Sequence, residues 1–109
     1  LKISLTGPAF RFMDRGAGYG EAAFHIYNSF KTLGLNVEIE AQQADIELCF
    51  ADPGNYIYYD PSSYKIGYSA WESTDFNLDM KKALAYPDEL WGTSPWVEEV
   101  LRNYFVKKR

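Results

Sequence analysis

The residues best suited to chemistry are Gly16, Gly18 and Gly20, which fall at every second position of "DRGAGYGEAAFHIYNSF". Glycines leave main-chain N–H groups uncovered, and the helical pattern that follows puts a partial positive charge behind them. Such a loop can hold a phosphate, with Arg11 and Arg15 adding guanidinium donors. The same glycines can equally form a plain turn with positive φ. Spacing alone leaves both readings open. A dinucleotide site is the rival, with Glu38 and Glu40 near where a ribose-binding acid belongs. However, the spacing is G-x-G-x-G rather than G-x-G-x-x-G. The run from Gly7 to Gly18 is also long for that fingerprint's tight turn, so NAD ranks low. No Gly-Lys-Ser/Thr follows, which excludes a Walker loop.

Other reactive types are scarce. The one histidine, His25, lies off the apolar face of its helix and reads as a solvated surface residue. One His and one Cys cannot build a zinc site, so no metal is expected. No Ser-His-Asp arrangement is legible. Cys49, in "IELCF", reads as a core thiol, and a single cysteine suits a reducing, cytoplasmic setting. The net charge of −4, with no basic stripe before the terminal "KKR", argues against nucleic acid. No apolar run is long enough to span a bilayer. The 109 residues, 47% apolar and 24% charged, suit one globular domain. The chain opens on a strand without Met, which suits a trimmed fragment, an engineered domain or a stand-alone relative.

Positioning elements follow from periodicity. "LKISLTG" alternates into a strand that stops at Gly7-Pro8. Residues 8–17 read as a polar loop. From Gly18 to Leu33, Ala22, Ala23, Ile26, Tyr27, Phe30 and Leu33 share one helical face, and Gly34 caps the end. "LNVEIE", "DIELCF", "YKIGYSAW" and "DELWGTS" read as further strands. "TDFNLDMKKALAY" reads as a helix capped by Asp75 or Asn77. "SPWVEEVLRNYFVKKR" reads as another, with Ser94 as N-cap and Pro95 at the first helical position. Between strands three and four, "YIYYD" has the aromatic and acidic character of a carbohydrate-binding loop, a lid or a partner surface. Trp91 and Trp96 read as packing residues.

The expected fold is therefore α/β: a Rossmann-like, three-layer domain over residues 1–109, with a mainly parallel sheet of about five strands flanked by helices. One tension is built in. About five residues, 41–45, separate strands two and three, whereas a parallel crossover takes about a dozen. Either that connection crosses without a helix or one strand runs antiparallel.

Lys65 to Leu101 resembles the N-terminal half of retaining glycosyltransferases of the GT-B fold, family 4 type. Gly67, Tyr68, Trp71 and Glu72 match a strand of the form Gly-Tyr-x-x-Trp-Glu. Asp88, Glu89, Trp91 and Ser94 match the Asp-Glu-x-Trp-x-x-Ser strand that enters a helix. The front of the chain agrees, with a strand, a Gly-rich loop, a helix ending in "LG" and the strand "NVEI". The resemblance implies sugar transfer from a nucleotide-diphosphate sugar to an acceptor hydroxyl, with a C-terminal nucleotide-binding half missing here. It implies a donor-phosphate site at Gly16, Gly18, Tyr19, Gly20 and Arg15, and no cofactor beyond the donor substrate. Acceptor contacts fall to Arg11, Asp52, Trp71, Glu72 and Ser94. Where the family often has a His after its third strand, this chain reads Ala51-Asp52-Pro53, and Asp52 takes a nearby position. Glu72 doubles as a loop or capping carboxylate, Trp71 as an edge plug, and Ser94 as a helix cap. The alternative is a non-catalytic Rossmann-like binding module, whose exposed face would favour a homodimer.

Overall fold

The computed structural model describes residues 1–13, 18–53, 55–70 and 78–108. Five strands alternate with helices: β1 (Lys2–Thr6), α1 (Pro8–Phe12), α2 (Gly18–Thr32), β2 (Asn36–Ile39), β3 (Ile46–Phe50), β4 (Tyr64–Ser69), α3 (Leu78–Leu84), β5 (Glu89–Gly92) and α4 (Pro95–Lys108). All pair in parallel in the order β2-β1-β3-β4-β5. This is a doubly wound α/β domain of the Rossmann-like type.

Strand alternation divides the sheet into two unlike faces. Ile3, Leu5, Val37, Leu48, Phe50 and Ile66 point to one side and pack with Phe10 of α1 and Ala23 of α2. The expected stripe of α2 lies on this core through Ala22, Ala23, Ile26, Tyr27 and Phe30. Leu33 instead stays exposed, beyond the last helical residue. There Leu35 N donates to Phe30 O and Gly34 N to Lys31 O, closing the helix on Gly34.

The opposite face carries Ser4, Thr6, Glu47, Cys49, Lys65 and Ser69, all buried. Small and polar side chains suit a face covered by main chain rather than by a helix. The β2–β3 connection crosses here without a helix and all strands stay parallel: Ala41 N donates to Ser4 Oγ at 2.9 Å and Asp45 N to Lys2 O at 2.9 Å. The β3–β4 connection also lacks a helix. Its residues 55–60, in neither helix nor strand, lie over the sheet as a strap. Tyr59 N and Asp60 N donate to the Glu47 carboxylate at 2.7 and 3.0 Å, Ile57 N to Cys49 Sγ at 3.3 Å, and Thr6 Oγ1 to Ile57 O at 2.5 Å. Beside the strap, Leu84 of α3 and Val97, Val100 and Leu101 of α4 form a second core with Leu90 and Tyr56.

Two expectations change. Residues 8–12 form helix α1 rather than loop, because Pro8 sits at its first turn and Gly7 O accepts from Phe10 N and Arg11 N at 3.1 Å each. Trp91 and Trp96 do not pack fully, remaining 36% and 46% exposed. Trp91 meets Tyr68 edge-on, with ring centroids 5.8 Å apart, on the part of the sheet beyond α2. The suggested caps Asp75 and Asn77 lie outside the described residues.

Candidate functional site

In this strand order the connection after β1 leads to one side and those after β3 lead to the other. The loops therefore part above the C-terminal ends of these two neighbours, which is where doubly wound folds bind ligands. A cavity of about 740 Å³ lies there. Pro8, Ala9 and Phe12 come from α1, and Tyr19 and Gly20 from the start of α2. The end of β3 contributes Phe50, Ala51 and Asp52, and the strap contributes Asn55, Tyr56 and Ile57.

Gly7 makes the sharp exit from β1 possible. Its φ of 103° is left-handed, and a Cβ there would meet Cys49 Sγ at 3.2 Å. The chain then turns at once into α1, so Phe10 plugs the core while Phe12 stays 72% exposed at the cavity.

Tyr19 ties the first turn of α2 to the far wall. Ala70 N donates to its hydroxyl at 3.2 Å, and the hydroxyl donates to Ala70 O at 3.0 Å, with the Asp52 carboxylate beside it. Burial, then Asp52, pushes the Tyr19 phenol well above its ordinary range. The ring lies 4.7 Å from Phe50, which continues to Tyr68 at 5.0 Å. Tyr56 closes the third side. Its hydroxyl bonds Ser69 Oγ, which donates to Ala51 O at 2.7 Å. Burial raises the Tyr56 phenol to about 12. The cavity is thus mostly apolar and aromatic, with Asp52 and Asn55 exposed beside it.

The sequence-derived candidates divide as follows. Tyr19, Gly20 and Asp52 line one cavity. Gly18 opens α2, and a Cβ on it would meet nothing within 4 Å, so its main chain is accessible among the described residues. Arg11 is held elsewhere: Nε donates to Glu40 Oε1 at 2.9 Å and Nη2 to the Tyr59 hydroxyl at 3.3 Å, and both bonds raise its pKa. Ser94 caps α4, accepting from Val97 N at 3.3 Å, and follows β5, with β3 and β4 between it and β1. Arg15, Gly16, Trp71 and Glu72 lie outside the described residues. Phe12, Phe50 and Asn55 carried no sequence signal as ligand groups. The aromatic run "YIYYD" hinted at Tyr56 and Ile57.

His25 is solvated as expected and pairs with Glu21 at 3.2 Å. Cys49 is fully buried, and burial raises its thiol pKa. Among the described residues no cluster of His, Cys, Asp and Glu is placed to hold a metal ion, and no helix is long and apolar enough to cross a membrane. The chain matches no family model, no curated protein and no solved structure.

Proposed function

We propose that this domain is the acceptor-side half of a GT-B sugar transferase. The observation that carries the reading is the meeting of Tyr19, Gly20 and Asp52 in one cavity above β1 and β3. The 15-residue helix α2 starts at that cavity, with Gly18 exposed and Gly20 buried, and the positive end of its dipole favours a diphosphate. In the transfer, the bond between the sugar's anomeric carbon and the diphosphate oxygen breaks. The acceptor oxygen bonds to that carbon, and the acceptor proton leaves with the diphosphate. Asp52 accepts a hydrogen bond from the acceptor hydroxyl, while main-chain dipoles stabilise the charge growing on the leaving group. In this reading the nucleotide belongs to a second domain, so this domain by itself binds without turnover.

A second reading, a binding module without transfer, is favoured by the apolar walls and by Arg11 being engaged with Glu40 rather than lining the cavity. A dinucleotide reading weakens, because both candidates for its ribose-binding acid hold ion pairs, Glu38 with Lys2 at 3.1 Å and Glu40 with Arg11 at 2.9 Å. Amide shifts on titration with UDP- and GDP-sugars, UDP, NAD and free sugars separate the three. Shifts at Gly18–Gly20 with diphosphates support transfer. Silence toward all ligands with a concentration-dependent dimer supports the module, and shifts at Glu38 and Glu40 with NAD support the dinucleotide.

A further inference from the structure

We infer that the cavity takes a hydroxyl group carried on a flat aromatic body, a claim about acceptor class that rests on the transfer reading of the same site. Its volume, about 740 Å³, falls in the range of small-ligand sites. The distribution of polarity then selects the ligand. Phe12, Tyr19, Phe50 and Tyr56 supply aromatic surface, whereas among the described residues the exposed polar side chains, Asp52 beside the Tyr19 hydroxyl and Asn55, lie on the connection after β3. A bare sugar has hydroxyls all around its ring, and those turned to the apolar walls would lose water without gaining a partner. A ligand polar at one end and apolar over the rest meets both parts.

Two further observations favour an aromatic over an aliphatic body. Tyr19 and Phe50 line the cavity 4.7 Å apart at 52°, and Phe50 is backed by Tyr68 at 5.0 Å and 44°, so the wall already presents tilted rings. Another ring extends such an array with the edge and offset contacts that aromatic pairs prefer. Phe12 is 72% exposed although it lines the cavity, which leaves a ring ready to be covered by a planar ligand.

The test titrates the full chain with naphthol, naphthalene, octanol and glucose, read by amide shifts and intrinsic fluorescence. Naphthol should bind roughly tenfold to a hundredfold more tightly than naphthalene, the worth of one hydrogen bond to a carboxylate. Its shifts should centre on Ala9, Gly20, Ala51 and Asn55. Asp52→Ala should remove most of that gap, and Phe12→Ala should weaken both aromatic ligands. Both residues are exposed, so the variants should fold. Glucose or octanol binding as tightly as naphthol, or naphthol shifts centred elsewhere, overturns the inference. A parallel titration with UDP-glucose keeps the two ideas apart. Shifts at Gly18–Gly20 without naphthol binding overturn the aromatic acceptor and leave transfer standing. Naphthol binding without those shifts supports the ligand class and counts against transfer.

Discussion

Tyr56 occupies the space that any side chain at Gly67 would need: a Cβ on Gly67 would sit 2.6 Å from Tyr56 Cζ. The strap thus lies flat on β4 because that strand lacks a side chain there. Gly67→Ala should force the ring outward, costing about 1–3 kcal/mol by overpacking and disturbing the cavity wall. Urea denaturation measures the loss. A double variant with Tyr56→Ala should cost less than the two single changes summed, because the clash is gone. Full additivity would mean that the two positions do not touch.

Glu47 is fully buried and holds the strap by accepting from Tyr59 N, Asp60 N and Ser63 Oγ, the last at 2.6 Å. Glu47→Ala leaves three donors without their partner and should cost about 3 kcal/mol or more. Glu47→Gln keeps the shape but turns an amide donor toward groups that themselves donate, so it should also destabilise, by roughly 1–2 kcal/mol. A shift of denaturation midpoint at unchanged slope is the expected readout. An unchanged midpoint in both variants would refute the clamp.

Tyr58 offers the opposite case. Its hydroxyl is buried with no partner among the described residues, while its ring packs 6.3 Å from Tyr56 and 6.0 Å from Tyr86. Tyr58→Phe removes the orphaned group and keeps the ring. Stability should be unchanged or rise by up to about 1 kcal/mol. A clear loss in a thermal melt would show that the hydroxyl has a partner.

Alkaline pH should unfold the domain through the same tyrosines. Burial raises Tyr56 from its ordinary 10.0 to about 12, and burial moves Tyr19 and Tyr58 further in the same direction. A phenol whose folded pKa exceeds its unfolded one contributes its full stability below the unfolded value. That contribution is lost as pH rises toward the folded value. Stability should therefore hold up to pH 10 and fall between 10 and 12. Circular dichroism and tyrosinate absorbance, followed together, should show the buried phenols ionising with the loss of structure. If every tyrosine ionises while the helical signal persists, these rings are not buried.

The strands were legible because each alternates or runs apolar over its own length, as in "LKISLT" and "IELCF". The start of α4 was legible because Ser94-Pro95 is a local signal of cap and first turn. Helix α1 was not, since the five residues of "PAFRF" are too few to display a 3.6-residue period. The strap was hidden for a different reason. Its hydrogen bonds go to side chains of β1 and β3, namely Thr6, Glu47 and Cys49, so nothing in its own pattern marks it.

For the site, the chain's order of residues determined that a glycine-bearing helix start follows the first strand, and that aromatic and acidic groups follow the third. Only the tertiary structure decided that these two places face each other. The parallel pairing Ile3↔Ile46 through Thr6↔Cys49 sets β3 beside β1 and so carries Asp52 to Tyr19. It also decided that Arg11 turns to Glu40 instead of the cavity. Both are contacts between distant parts of the chain, chosen by burial of the whole sheet, and no local preference encodes them.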